Sequence, residues 1–227
     1  MMKTVVIEER LFPPILKDLF KGLSDAGFFE SGILAGSWVF PLYKPLFGIN
    51  YTLSTLDVDL VVQTGVPQSS SKADVERIIT DLGFLPVTEQ SGWRKYTREG
   101  LTVEFLTNRK GNRDGVDLIE NLNISAIRLP FLDLLFISPV MVELSRFKMR
   151  VPCPEAMFVQ KLVVSQRRVD KDKVSKDLEQ CRVLIPILDD SKLAEVMNSR
   201  KWSKDVLSKL EISCRKIGFS FENLIAR

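Results

Sequence analysis

The sequence predicts an α/β (α+β) protein, a mixed β-sheet flanked by helices and followed by a C-terminal helical bundle. Three observations predict it. Strand-like runs rich in Val, Leu and Ile alternate with helix-period segments through the first two thirds of the chain. From residue 152 onward every periodic segment is helical, and Pro152 and Pro154 punctuate the join. Two domains are therefore expected, an α/β domain over 1–151 and a helical domain over 152–227. At 227 residues the chain can bury such a core without disulfide or metal staples.

Pro13 and Pro14 precede Ile15, Leu16, Leu19, Phe20 and Leu23, the apolar stripe of an amphipathic helix ending near Gly27. Ile33, Leu34 and Ala35 read as a short buried strand closed by Gly36 and Ser37. Residues 38–46 could begin a helix, which Pro41 and Pro45 are expected to break early, leaving the stretch through Gly48 and Tyr51 partly loop. The clearest strand is 56–63, dense in Val and Leu and bounded by Ser54-Thr55 and Gly65-Val66-Pro67. The polar connector 68–71 offers a cap to a helix over 72–82, with Val75, Ile78, Ile79 and Leu82 on one stripe and Gly83 as its stop.

Strands at 93–98 and 101–106 are joined by Glu99-Gly100, a tight hairpin turn. Residues 108–114 form a polar loop. Residues 124–143 are apolar but interrupted by Pro130 and Pro139, so strand and helix both remain open there. A last strand falls at 147–151, followed by helices at 155–168, 171–188, 192–199 and 204–217, with Gly218 as a stop signal.

The composition, 45% hydrophobic and 27% charged, is that of an ordinary globular protein. With 32 Lys+Arg against 29 Asp+Glu, the surplus of +3 is too small to argue by itself for nucleic acid or membrane as a partner. Much of the positive charge falls between Arg146 and Lys176, a segment that could meet phosphate. Cys153, Cys181 and Cys214 are odd in number and lack a CxxC pair, so reduced structural thiols are expected. The N-terminus lacks a signal-peptide pattern and no run approaches the length of a membrane span, which together predict a cytoplasmic protein with no membrane partner.

The chain contains no histidine, which excludes Ser-His-Asp and Cys-His catalysis, imidazole acid-base chemistry and His-ligated zinc. Neither a GxxxxGK loop nor a GxGxxG fingerprint is present. The reaction must therefore use carboxylates, lysine, hydroxyls or metal.

Asp57 and Asp59 stand at i and i+2 in a strand, so both carboxylates share a face while Leu56, Val58 and Leu60 take the other. Two like charges beside apolar surface either raise a pKa or call for a counter-ion. Mg²⁺, or Mn²⁺, with oxygen ligands fits that demand. Glu104 is a third carboxylate inside an apolar strand, and pairing beside the first would bring it close to the aspartates. Three carboxylates on two metals would clamp the attacking and leaving oxygens of a displacement at phosphorus. The alternative is that all three simply face solvent.

Gly36-Ser37, then Thr55-Leu56-Asp57-Val58-Asp59-Leu60, then Val103-Glu104-Phe105-Leu106 resemble the glycine-serine turn, the D-x-D strand and the third acidic strand of the polymerase-β-like nucleotidyltransferase superfamily. Val151-Pro152-Cys153-Pro154, Lys161-Leu162, Arg167-Arg168 and Lys176-Asp177-Leu178-Glu179-Gln180 resemble the helical part of a bacterial group of nucleotidyltransferase-fold proteins. The resemblance, over roughly residues 30 to 190, implies a nucleotidyltransferase-type sheet and transfer of NMP from an NTP to a hydroxyl acceptor. By it, Gly36 and Ser37 contact nucleotide phosphates, Asp57 and Asp59 bind metal, and Glu104 is a metal ligand or the base for the acceptor.

Lys161 and Arg168, seven residues apart, share a face if their helix runs unbroken, and could neutralise the triphosphate. The alternative is a solvated face with pairs such as Lys173 and Asp177. Trp38, Tyr43, Tyr51 and Trp93 could stack on a base but fit core packing equally well. The acceptor stays open among a small molecule, an RNA 3′ end and a protein side chain. Two departures from the family pattern, a longer spacing from Ser37 to Asp57 and Glu at the third acidic position, motivate an alternative: a non-catalytic binding or regulatory protein on the same scaffold. A third reading is the toxin half of a toxin-antitoxin pair.

Overall fold

The computed structural model describes residues 4–7, 11–53, 55–64, 73–109, 111 and 113–225. In chain order these form β1 (Thr4–Ile7), α1 (Pro14–Asp25), β2 (Gly32–Leu34), α2 (Phe40–Phe47), β3 (Asp57–Val62), α3 (Val75–Asp81), β4 (Leu85–Thr88), β5 (Arg94–Arg98) and β6 (Leu101–Asn108). The hairpin β7 (Val116–Ile119) and β8 (Ile124–Leu129) follows, then β9 (Val140–Leu144) and β10 (Phe147–Val151). After the last strand come α4 (Pro154–Ser165), α5 (Lys171–Leu184), α6 (Asp190–Asn198), α7 (Lys204–Ile217) and α8 (Glu222–Ile225).

The main sheet runs β2-β3-β6-β5-β4, with β8 also paired to β6 and β7 to β8. Its centre is the parallel pair β3 and β6, in which Asp57 lies opposite Thr102, Asp59 opposite Glu104 and Val61 opposite Leu106. β6 is hydrogen-bonded to β3 along one edge; its other edge is shared between β5 at the start and β8 at the end. That central position explains why Val103 and Phe105 are fully buried. A second sheet, β1-β9-β10, has β1 parallel to β9 and β10 antiparallel to it.

α1 covers the core with Leu16, Leu19, Phe20 and Leu23, all fully buried. Its last residues give way to Gly27 at φ 74°, the expected stop. α2 departs from expectation. Pro41 falls in the first helical turn, where its missing N–H has no carbonyl to seek, and Pro45 is absorbed before Gly48 closes the helix at φ 79°. α3 begins at Val75, capped by Asp74, whose carboxylate accepts the Arg77 N–H at 3.0 Å. The serine connector expected to cap it lies outside the described residues.

The Glu99-Gly100 turn is as expected, both residues having positive φ as a two-residue hairpin requires. β4 and β7 were not expected; β4 is exposed along its whole length, so no buried face writes an apolar pattern into its sequence. The open stretch 124–143 resolves into β8, a 3₁₀ turn at Leu132–Phe136 and β9.

α4 is buried nearly all round, among α5, α6, α7 and the 3₁₀ turn at Leu132–Phe136. It ends at Ser165, three residues before Arg168, so Lys161 and Arg168 do not share one unbroken helix as the spacing proposed. Asp170, Asp189 and Ser203 cap α5, α6 and α7 through their side chains, and Gly218 ends α7 at φ 72°. Cys153, Cys181 and Cys214 are buried, free thiols. No helix among the described residues is long and apolar enough to cross a membrane.

Candidate active site

A cleft of about 650 Å³ opens between the β3–β6 face of the sheet and the helices α4 and α5. Gly36, Ser37, Asp57, Asp59, Glu104, Lys161 and Arg168 all line it. The sheet register produces this gathering. Strand alternation sends Asp57 and Asp59 to the cleft face while Val58 and Leu60 are fully buried on the other, and Glu104 comes to the same face one strand over.

Gly36 is bound to Asp59 by the absence of a side chain. At φ 65°, a Cβ on Gly36 would stand 1.9 Å from Asp59 Oδ2, so the carboxylate occupies the space that any other residue would fill. The backbone repeats the link, with the Ala35 N–H donating to the Asp59 carbonyl at 2.8 Å. The turn and the D-x-D strand are thus held against each other.

The Asp59 carboxyl is pushed up to about 6. Burial is the main cause, followed by the like charge of Glu104, with Asp57 adding a smaller push; Lys161 and Arg168 pull the other way without cancelling it. Glu104 is also raised, first by burial, with Lys95 opposing. Lys95 Nζ stands 3.4 Å from Glu104 Oε1 and 3.3 Å from Glu89 Oε1, and 4.3 Å from the centroid of the Trp93 ring, so it is a cation held over an aromatic face beside the third carboxylate.

Lys161 and Arg168 converge although their helix is broken. Lys161, with only 7% of its side chain exposed, donates to Asp177 Oδ1 at 2.9 Å, and Arg168 Nε donates to Asp177 Oδ2. The Lys173–Asp177 pair considered from sequence does not form, because Asp177 points inward and is buried between these two cations. α5 carries Lys176, Asp177 and Gln180 toward the cleft. Burial, then the like charge of Lys161, lowers the Lys176 pKa, while Asp57 and Asp59 oppose the shift.

Three contributors escaped the sequence reading: Asp177 as a buried anchor, Lys95 as the partner of Glu104, and Gln180. Gln180 is fully buried and donates from Nε2 to Ser37 Oγ and to Tyr51 Oη, both at 2.9 Å. Of the aromatic residues, Trp93 lines the cleft, Tyr51 meets Gln180, and Trp38 and Tyr43 are core.

Asp57 and Asp59 offer hard oxygen donors side by side at the cleft, the chemistry a divalent cation demands, and the raised Asp59 pKa reflects burial first and then the like charge of Glu104, which Lys161 and Arg168 do not cancel. Among the described residues no group of three or more His, Cys, Asp or Glu side chains is placed to hold one ion together. Two carboxylates completed by substrate phosphates are nonetheless a common Mg²⁺ arrangement.

The cleft thus brings carboxylates on paired strands under a Gly-Ser turn and opposite the cations Lys161, Arg168, Lys173 and Lys176. A family model described as Nucleotidyltransferase matches residues 15–203, and the chain belongs to that family. No curated protein matches it. Among solved structures it is similar to an antigenic nucleotidyltransferase-like protein from Paracoccidioides brasiliensis, with 17% identity and a TM-score of 0.45 over 86% of this chain and 93% of that one.

Proposed function

We propose that the protein transfers an NMP unit from an NTP to a hydroxyl-bearing acceptor, releasing pyrophosphate, and that Asp57 and Asp59 hold Mg²⁺ or Mn²⁺ for this purpose. The observation that carries the proposal is the Asp59 carboxylate seated against Gly36 with Glu104 in register beside it, in a cleft walled by Lys161, Arg168, Lys173 and Lys176. Membership of a nucleotidyltransferase family supports the same reading.

When bound, the cation would neutralise phosphate charge and acidify an oxygen held near it. The rest falls to the chain itself. Gly36 lets the backbone approach the phosphates, and the Ser37 hydroxyl meets a phosphate oxygen. Lys173 and Lys176 face the charge that develops on the leaving pyrophosphate, with Lys161 and Arg168, both held by Asp177, adding to the field along the same wall. As the acceptor oxygen bonds to the α-phosphorus, the bond from that phosphorus to the pyrophosphate oxygen breaks and the acceptor proton passes to Glu104. Burial raises the Glu104 pKa toward the range a general base needs, and its pairing with Lys95 keeps it available as the carboxylate.

The acceptor could be a small molecule, an RNA 3′ end or a protein side chain. Titration of each NTP with Mg²⁺ into the protein and into Asp57→Asn and Asp59→Asn tests the site; equal binding in all three counts against it. Incubation of the protein with labelled NTP, metal and cell extract tests the reaction and reveals the acceptor. Nucleotide binding without any labelled product favours the non-catalytic scaffold instead.

A further inference from the structure

We propose that Gln180 is a positioning residue: it fixes the Ser37 hydroxyl so that its hydrogen points into the cleft as a donor to the β- or γ-phosphate of the bound NTP. The inference rests on the reading of the cleft as an NTP site. It starts from an amide that has no need to be where it is. Gln180 is fully buried on α5, 143 positions along the chain from the serine it touches. An apolar residue would pack there without having to find hydrogen-bond partners.

The partners define the direction of the hydrogen bonds. The amide nitrogen has two hydrogens, and both are used, one on Ser37 Oγ and one on Tyr51 Oη. The amide oxygen has no hydrogen-bond partner. Turning the amide over would leave two buried N–H hydrogens without an acceptor in place of one carbonyl oxygen, so the nitrogen belongs on the hydroxyls.

Each hydroxyl that accepts from Gln180 must send its own hydrogen elsewhere. Ser37 is itself nearly buried, and the space it borders is the cleft. Its hydrogen therefore faces the position a phosphate oxygen would occupy, beside Asp59 and the Gly36 turn. Without Gln180 the hydroxyl can rotate, and part of its population points the wrong way. A donor held in place before the ligand arrives is a more effective partner for an anion than one that must be reoriented. Three residues of one α5 face thus serve the cleft in different ways: Lys176 by charge, Asp177 by anchoring Lys161 and Arg168, and Gln180 by aiming a serine.

Isothermal titration of the full chain with Mg²⁺ and ATP, GTP, CTP or UTP, and with the corresponding NMPs, tests the assignment. The variants are Gln180→Leu, Ser37→Ala, the double substitution, and Gln180→Glu, which keeps the shape if the leucine variant does not fold. Gln180→Leu is expected to weaken the bound NTP by about tenfold, the scale of one hydrogen bond to a charged group. The matching NMP, which lacks the phosphates beyond the first, should be affected far less. The double variant should bind no more weakly than Ser37→Ala alone, because Gln180 acts through the serine. Gln180→Glu, whose carboxylate accepts a hydrogen rather than giving one, should turn Ser37 inward and weaken the NTP at least as much. Additive losses in the double variant, equal losses for NTP and NMP, or unchanged binding in Gln180→Glu overturn the assignment alone. Failure of the wild-type protein to bind any of the four NTPs removes the nucleotide-site reading and this inference with it.

Discussion

Asp59→Asn should make the cation-free protein more stable at neutral pH. The folded protein holds this carboxyl at about 6 against an ordinary value of 3.8. A folded pKa above the unfolded one means that the native state prefers the protonated form. Ionisation therefore costs nothing below about pH 4, costs progressively more between there and pH 6, and costs its full amount above. Two pH units at about 1.4 kcal/mol each make roughly 3 kcal/mol, and water at the cleft mouth reduces this to about 2–3 kcal/mol. Asparagine fills the same space without the charge and removes that penalty. For a chain of this size the gain corresponds to roughly 4–12 °C in Tm. Thermal unfolding of both proteins in a chelator, at pH values from 4 to 7.5, measures it. The difference between the variants should be largest at pH 7.5 and should close toward pH 4. A variant no more stable than wild type at pH 7.5, or a gap that does not close on acidification, refutes the claim that like charge and burial are stored at Asp59.

Further outcomes follow from the same geometry. Gly36→Ala places a Cβ 1.9 Å from Asp59 Oδ2 at a φ of 65°, so it should lose Mg²⁺-dependent NTP binding and cost at least about 1 kcal/mol in stability, read by nucleotide titration and thermal unfolding. Asp177→Ala strips the buried Lys161 of its ion partner and should destabilise the fold by about 3–5 kcal/mol in urea unfolding, whereas an exposed pair would cost less than 1 kcal/mol. Lys95→Met removes the cation opposing the Glu104 shift, so the Glu104 pKa should rise further and the acidic limb of the pH–rate profile for NMP transfer should move to higher pH. Glu104→Gln should keep NTP binding while losing transfer, which a single-turnover assay separates from loss of affinity.

Much of this site could be read from the sequence, because strand alternation is a strict rule. Asp57 and Asp59 had to share a face, and the apolar residues around Glu104 marked it as a charge on a buried strand. What alternation does not contain is register between strands. That Asp59 lies opposite Glu104, rather than two residues away, depends on a parallel pairing across more than forty residues of chain, and nothing local records it. The helical side was less legible for a related reason. Period arguments assume a continuous helix, and α4 stops before Arg168; the two cations meet because Asp177 on the next helix gathers them. Gln180 was hidden most fully, since a glutamine on a charged helix reads as surface until the turn 143 positions earlier is folded against it.

These features bear on why the acidic trio is stable at all. A strand pair presenting Asp57, Asp59 and Glu104 to one cleft carries three like charges that folding brings together. The protein answers each differently: Asp57 is left exposed, Glu104 is paired with Lys95, and Asp59 is half-buried with its charge only partly met by Lys161 and Arg168. If charge balance for the fold alone had shaped the site, Asp59 would be paired as directly as Glu104 is, and Lys161 would face it rather than Asp177. The lysine instead pairs with Asp177 on the cleft wall, and Asp59 is left without a direct cationic partner among the described residues, beside a glycine that makes room for it. On the proposed reading a bound cation supplies the partner that Asp59 lacks, so the cation-free stability of Asp59→Asn should rise while the nucleotide affinity of Gly36→Ala should fall.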